Sequence, residues 1–219
     1  MQTTDTILAG RTAILFDYNG TLADDENLLE IAYGQSLVKL GLAPLAEGEY
    51  WALLGKSDPD ISAALLAARS AAVSVDELLA VVSEVYLEAY RRDPRIGEST
   101  VEMVEKLHAE GVRMGVVTGT LRALIEPALV EAGIRHLLDP IVTIEDVSVG
   151  KPDPAGFLLG AELMGRDPAG ILVFEDSRAG VAAAHAAGMT PRGVGAATGL
   201  DDAFTSMEQV ATLVLGRES

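Results

Sequence analysis

The stretch TAILFDYNGTL, residues 12–22, decides the fold of this chain. It begins as an apolar run typical of a strand buried in a parallel sheet, and the run stops at Asp17. A tight turn of small and polar residues follows, and Gly20 permits it. Because chemistry collects beyond the carboxyl ends of parallel strands, Asp17 is well placed to act as a nucleophile and as a metal ligand.

The rest of the chain has two regions that differ in the spacing of their apolar residues. From about residue 27 to residue 92 the apolar spacing is helical, and it predicts helices over 28–40, 47–54, 60–68 and 75–90. After about residue 97, helices are predicted over 100–110, 121–132, 154–164 and 180–187. They alternate with predicted strands over 112–117, 139–144, 171–174, 190–194 and 211–215. This alternation indicates an α/β fold with a doubly wound, Rossmann-like parallel sheet. The prediction is a core domain of residues 1–23 and 95–219, into which an all-helical domain, residues 24–94, is inserted.

Length and composition narrow the classes of function. The chain has 219 residues, of which 49% are hydrophobic, enough for one α/β domain and a smaller insert. Lys and Arg number 16 against 33 Asp and Glu, a net charge of -17 that disfavours nucleic acid and anionic membrane surfaces as partners. The absence of cysteine excludes disulfide and thiolate chemistry and leaves zinc without its usual sulfur ligands.

The sequence also bears on location. Residues 1–11 lack the basic and apolar pattern of a secretory signal. No stretch approaches the roughly 18 apolar residues of a spanning helix. We therefore expect a soluble, cytoplasmic protein, with no membrane partner, that is a monomer or a homodimer.

Four polar clusters fall at the ends of predicted strands: residues 17–21, 118–120, 150–154 and 175–177. Because parallel strands end at one edge, the clusters should converge there. They combine a nucleophilic carboxylate, hydroxyl donors, a lysine and an acidic pair, which suits phosphoryl transfer. Asp17 and Asp176 are predicted to ligate Mg²⁺, with Glu175 beside them or acting through a metal-bound water.

At these clusters the chain resembles the haloacid dehalogenase (HAD) superfamily. FDYNGTL at 16–22 is similar to its first motif, Asp-x-Asp-Gly-Thr, and VTG at 117–119 to its second. KPDP at 151–154 and FEDS at 174–177 are similar to the third and fourth. The helical insert resembles a type 1 cap. Its segment GKSDPDI, residues 55–61, is similar to one common in the phosphoglycolate phosphatase and β-phosphoglucomutase branch.

The resemblance implies a role for each matching residue. Asp17 would be phosphorylated during turnover, with Thr118 and Lys151 holding the phosphoryl group beside Gly20 and Gly119. The backbone carbonyl of Asn19 would join Asp17, Glu175 and Asp176 around Mg²⁺. Lys56 of the insert either reaches the substrate or is a surface residue, and both alternatives are open. The implied activity is magnesium-dependent hydrolysis of a small phosphorylated metabolite, a sugar phosphate or a phosphoglycolate-like acid, through an aspartyl-phosphate on Asp17.

The chain departs from the family pattern at Asn19. The second aspartate of that motif protonates the leaving group and then deprotonates the attacking water. An amide can do neither, and a missing acid/base costs roughly 10²–10⁴-fold in rate. Three interpretations are open: the site is slow, another carboxylate such as Asp24 or Asp25 of the acidic run 24–26 substitutes, or Asn19 is an engineered change that traps a complex. An acidic run of this kind is ordinarily a solvated hinge, and that interpretation is favoured for Asp24, Asp25 and Glu26. Asn19→Asp is expected to raise turnover about tenfold or more, unless another base acts.

Two further functions remain open beside the phosphatase. A β-phosphoglucomutase-like phosphotransferase would return the phosphoryl group to a second hydroxyl. A low-activity phospho-ligand-binding protein would keep the metal and phosphate site without efficient turnover. Position 19 and the substrate range distinguish these possibilities.

Overall fold

The TAILF run forms the middle of the sheet. The computed structural model describes residue 4 and residues 7–217. In this part of the chain β1 (Ala13–Phe16) is the central strand of a five-stranded sheet. The other strands are β2 (Arg113–Val117), β3 (Ile141–Val142), β4 (Ile171–Glu175) and β5 (Thr190–Gly193). All pairings are parallel, in the order β3-β2-β1-β4-β5, which confirms the doubly wound prediction.

The strand order creates a crevice at the carboxyl end of β1. The chain moves from β1 outward through β2 to β3, then returns to the opposite side of β1 as β4. Phe16 lies beside Val116 on one side and Phe174 on the other. The residues just beyond them therefore emerge together, at the switch point where open α/β sheets bind ligands.

Along the sequence, a helical segment lies between β1 and β2. It contains α1 (Glu26–Lys39), α2 (Asp58–Ala68) and α3 (Val75–Arg92), and α1 packs on α3. Ser57 and Ser74 cap α2 and α3 by accepting hydrogen bonds from backbone N–H groups of the first turn. The domain boundaries at 23/24 and 94/95 stay a prediction. Residues 1–3, 5, 6, 218 and 219 of the predicted core domain lie outside the described residues.

Alternate residues of the strands face two separate apolar clusters. Ile14, Phe16 and their neighbours in register pack against α4 (Glu98–Ala109), α5 (Arg122–Glu131) and the helical segment. Ala13 and Leu15 face the opposite cluster, which includes α6 (Ala155–Met164) and α7 (Arg178–Ala186). Helices therefore cover both faces of the sheet, as the near-continuous apolar strands require.

The predicted strand over 211–215 is wrong, because this segment belongs to α8 (Met207–Leu215). Ser206 caps the helix and Gly216 ends it in the left-handed region. Its buried residues recur at helical spacing: Met207, Val210, Ala211 and Val214. A short apolar run cannot distinguish a strand from a buried helix by itself, so these flanking signals decide.

Two other predicted elements are shorter than expected. The helix predicted over 47–54 reduces to a 3-10 turn at Trp51–Leu53, preceded by Gly48 with φ +73°. The strand predicted over 139–144 reduces to β3, because Thr143 already caps a 3-10 turn at Ile144–Asp146. The remaining predicted helices and strands are present, with ends shifted by a few residues. No helix in the described part of the chain has the length and hydropathy to cross a bilayer.

Candidate active site

Lys151 joins two of the strand ends. Its Nζ lies 2.6 Å from Asp17 Oδ1 and 2.5 Å from Glu175 Oε1. The same ammonium lies 5.2 Å from the centroid of the Phe157 ring, a cation–π distance. Burial opposes the charge of Lys151, but the two carboxylates outweigh it and raise the pKa of the ammonium above its ordinary value. The clusters after β1, β3 and β4 therefore meet around one cationic side chain.

Three carboxylates share this end of the sheet. Asp17, Glu175 and Asp176 each offer an oxygen within 4.8 Å of the others. Burial and the neighbouring carboxylates raise the pKa of Asp176. Burial also raises the pKa of Asp17, although Lys151 opposes the shift. The single charge of Lys151 does not balance three carboxylates, so negative charge accumulates at this buried site. A hard divalent cation with oxygen ligands fits this donor set and would relieve the repulsion.

Two glycines permit the close approach of these carboxylates. A Cβ on Gly180 would lie 1.7 Å from Glu175 Oε1, so the carboxylate packs directly on the first turn of α7. Gly20 has φ +68°, and a Cβ there would lie 2.3 Å from Asp176 Oδ2. Ser177 donates to Glu175 Oε2 from its backbone N (2.8 Å) and its hydroxyl (2.9 Å). Glu175 is therefore held by Lys151 on one oxygen and by Ser177 on the other.

A cavity of about 50 Å³ opens above these groups. Most of the predicted site residues line it: Asp17, Asn19, Lys56, Thr118, Gly119, Lys151, Glu175 and Asp176. Gly20 does not line it and lies against Asp176 instead. The structure thus brings together the residues that the sequence selected, and their catalytic and binding roles stay predictions.

The side chain of Asn19 is engaged at both ends. Its Nδ2 donates to Asp25 Oδ2 over 2.8 Å, and its Oδ1 accepts a hydrogen bond from the Thr120 hydroxyl. Asp25 also accepts from the Tyr86 hydroxyl at 2.6 Å. Burial raises the pKa of Asp25 to about 7, against the effect of these two donors. The amide is therefore fixed in one orientation, which Asp25 and Thr120 determine.

A hinge made of the acidic run DDE at 24–26 would be solvated at all three residues, but this run is not. Asp24 is exposed, whereas Asp25 is 0% exposed and lies outside the cavity lining. Glu26, the first residue of α1, lines the cavity. Its Oε2 accepts a 2.7 Å hydrogen bond from the Tyr50 hydroxyl. Burial, and then the charge of Asp25, raise the pKa of Glu26 to about 8.

Asp58 connects the helical segment to the core. Its backbone N donates to Gly119 O over 3.1 Å, and its Oδ2 accepts from the Leu121 N at 3.2 Å. The Tyr33 hydroxyl donates to Oδ1 over 3.0 Å. Burial raises the pKa of Asp58 to about 6 despite these donors. The segment GKSDPDI is therefore docked on the loop after β2, and this contact closes one side of the cavity.

Sequence reasoning missed Glu26, Asp58 and their tyrosine partners as parts of the site. Asp58 stands inside the cap-like GKSDPDI segment, and Glu26 ends an acidic run directly before a predicted helix. Both positions were visible, but a carboxylate beside a helix start is ordinarily a capping or surface residue. Only the packing of α1 and α2 against the strand ends distinguishes them.

The haloacid dehalogenase-like hydrolase model matches residues 12–188, most of the chain. The chain belongs to the haloacid dehalogenase-like hydrolase family. Its relatives include the validoxylamine A 7'-phosphate phosphatase of Streptomyces hygroscopicus subsp. limoneus, 33% identical over 180 residues, which are 80% of this chain and 81% of the relative. The fructose-1-phosphate phosphatase YqaB of Escherichia coli (strain K12) is 32% identical over 180 residues, 80% of this chain and 92% of that one.

A solved structure agrees in fold with this hydrolase. An Asp-to-Asn variant of CbbY from Rhodobacter sphaeroides, in complex with xylulose-(1,5)bisphosphate, superposes with a TM-score of 0.80. It is 25% identical and covers 90% of this chain and 95% of its own. The motif-based resemblance to HAD hydrolases is thereby confirmed. Because relatives across most of the chain are named phosphatases, the family places this protein among enzymes that act on phosphorylated metabolites.

Proposed function

We propose that the chain is a magnesium-dependent phosphatase that hydrolyses a phosphomonoester through an aspartyl-phosphate on Asp17. The observation that carries this proposal is the bridge of Lys151 between Asp17 and Glu175, with Asp176 beside them, inside one cavity. Asp17 would attack phosphorus, and the bond from phosphorus to the leaving oxygen would break. Lys151 and Thr118 would hold the non-bridging oxygens as negative charge develops on them.

Asp17, Asp176 and the backbone carbonyl of Asn19 are the proposed ligands of Mg²⁺. The ion would neutralise phosphate charge at a site that otherwise offers mainly carboxylates. Both oxygens of Glu175 already accept hydrogen bonds from Lys151 and Ser177. Glu175 therefore serves the site by positioning Lys151, and it would act on a bound ion through a water molecule.

The helical segment, residues 24–94, is proposed to act as a cap. The cavity has room for only a few waters, so a substrate enters when the contacts of Asp58 with Gly119 and Leu121 open. Closure would then exclude bulk water from the reacting groups.

A phosphorylated carbohydrate or other polyol is the proposed substrate class. The cap contributes the carboxyl groups of Glu26 and Asp58 to the cavity, whereas its cation there, Lys56, is exposed. These carboxyl groups can form hydrogen bonds with hydroxyl groups, but they offer no positive charge to a second carboxylate or phosphate on the leaving group. The names of two relatives, which act on validoxylamine A 7'-phosphate and fructose 1-phosphate, support this class. Fructose 1-phosphate should therefore be hydrolysed with a kcat/KM about tenfold or more above that of phosphoglycolate.

Asp17→Asn tests the covalent mechanism. The wild type should release phosphate from the preferred ester only with Mg²⁺, and intact-protein mass spectrometry should detect a phosphorylated chain. Asp17→Asn should lose both signals, because the amide is not a nucleophile. Asp24→Asn is the matched control, since Asp24 is exposed and outside the cavity. Substantial turnover in Asp17→Asn, or full activity in EDTA, would exclude the proposal.

A further inference from the structure

The site lacks its expected proton carrier at position 19. The amide of Asn19 has no proton to exchange at neutral pH, and its two polar ends already bind Asp25 and Thr120. Asp25 is fully buried behind Asn19 and does not line the cavity. Asp24 is exposed outside it. If the chain turns over, another acid must therefore face the leaving group.

The candidates for this acid are the carboxyl groups that line the cavity. Among the described residues, those that line it are Asp17, Glu26, Asp58, Glu175 and Asp176. Asp17 is the proposed nucleophile, and Glu175 and Asp176, at the end of β4, belong to the proposed metal site. Asp58 accepts hydrogen bonds on both oxygens, one from Tyr33 within the cap and one from the Leu121 N of the core, and the second joins the cap to the core. Glu26 accepts a hydrogen bond on one oxygen alone, from Tyr50, and has no place in the proposed metal site.

We propose that Glu26 is the general acid/base of this enzyme, in place of the aspartate that Asn19 replaces. The inference rests on the proposed function. The Tyr50 hydroxyl orients Glu26 by donating to Oε2, and in the described part of the chain Oε1 accepts no hydrogen bond. Oε1 is therefore free to carry the proton. Glu26 enters the cavity from the first turn of α1, within electrostatic range of Asp17.

The proton balance of the two steps closes on this residue. When Asp17 attacks phosphorus and the bond to the leaving oxygen breaks, protonated Glu26 gives its proton to that oxygen and the alcohol departs. In the second step a water oxygen bonds to phosphorus while the Glu26 carboxylate takes a proton from that water. The bond between phosphorus and the Asp17 oxygen breaks, inorganic phosphate leaves, the Asp17 carboxylate is restored and Glu26 is protonated again.

The environment of Glu26 suits this exchange. The charged groups that act on it are Asp25, Asp17, Asp58 and Asp176, and Tyr50 is its hydrogen-bond donor. Burial and these acidic neighbours raise its pKa to about 8, so at neutral pH it can be protonated to act as an acid and can give up that proton to act as a base.

Glu26→Gln tests the proposal, because glutamine keeps the acceptor for Tyr50 and loses the exchangeable proton. With an alkyl phosphate such as fructose 1-phosphate, kcat/KM should fall about 10²–10⁴-fold. With p-nitrophenyl phosphate, whose leaving group needs little protonation, Glu26→Gln should release one equivalent of nitrophenol in a burst and accumulate phosphorylated protein. Glu30→Gln, one turn along α1, is the control and should match the wild type.

The result that overturns the proposal is a Glu26→Gln enzyme that hydrolyses both esters within about threefold of the wild type. Thermal unfolding of Glu26→Gln and Glu30→Gln shows whether each variant is folded. A wild type without Mg²⁺-dependent turnover or phosphorylated protein would instead refute the proposed function. An active wild type, an inactive Asp17→Asn and an active Glu26→Gln would refute the role of Glu26 alone.

Discussion

At the scale of single residues, the unusual feature of this site is the hydrogen-bonded pair of Asn19 and Asp25. Asn19 lines the cavity and donates a hydrogen bond to Asp25, which does not line it. The carboxylate of this pair therefore lies behind the amide, and not at position 19, where the family motif has one. A buried carboxylate with two donors orients the amide but reaches no substrate. The acid function therefore falls to a carboxyl group on another wall, Glu26.

Exchanging this pair should restore the acid/base at its ordinary place. In a Glu26→Gln background, adding Asn19→Asp with Asp25→Asn keeps a hydrogen bond between the two side chains and puts a carboxyl group at position 19. We expect kcat/KM for fructose 1-phosphate to rise about tenfold or more over Glu26→Gln alone. Steady-state kinetics measures this, and absence of any gain would contradict it. By contrast, Asn19→Asp alone in the wild type should change the rate little, because Glu26 already carries the proton.

At the scale of elements, the turn between β4 and α7 positions several charged groups at once. Glu175 ends the strand, and Ser177 caps the helix by accepting from the Gly180 N at 3.0 Å. The same hydroxyl donates to Glu175. The strand end and the helix start are thus joined through one serine, which fixes the carboxylate that Lys151 contacts.

Gly180→Ala should disrupt this turn. The new methyl group would occupy the place of the Glu175 carboxylate, which is buried and cannot move without releasing Lys151. We expect a stability loss of about 1–3 kcal/mol and at least about a tenfold fall in kcat, measured by urea unfolding and steady-state kinetics. Gly34→Ala in α1 is the control, because its Cβ would make an ordinary contact at 3.6 Å from Leu45. If both variants resemble the wild type, Glu175 is not held as described.

At the scale of the whole molecule, the buried carboxyl groups of the site lower the stability of the folded protein when they ionise. Asp25, Glu26 and Asp58 lie where α1 and α2 meet the strand ends, and burial is the largest cause of their raised pKa values of about 7, 8 and 6. In the unfolded chain these groups ionise near pH 4. Between the two values the folded state binds more protons than the unfolded state, so stability decreases as pH rises.

The metal-free protein should therefore be less stable at pH 8.5 than at pH 5.5. We expect the free energy of unfolding to fall by about 2 kcal/mol or more across this range, measured by urea denaturation in EDTA. Below pH 5.5 more of this stability is retained, because all three groups are protonated in the folded state. Glu26→Gln should reduce the decrease, and a stability that is constant or rises with pH would show that these carboxyls are solvated.

The order of the strand-end motifs in the sequence determined the family, the parallel sheet and most of the candidate site. Asp17, Thr118, Lys151 and Asp176 each follow a recognisable strand, and parallel strands end at one edge. Local patterns failed where flanking residues or packing decide, as for α8, whose apolar run resembles a strand.

Only the tertiary structure decided which acidic residues of the helical segment belong to the site. Asp24, Asp25 and Glu26 are adjacent in sequence, yet one is exposed, one is buried behind Asn19 and one lines the cavity. The direction of each side chain depends on how α1 starts against the end of β1 and on which tyrosines pack beside it. Those contacts join residues far apart in the chain, so no local pattern records them.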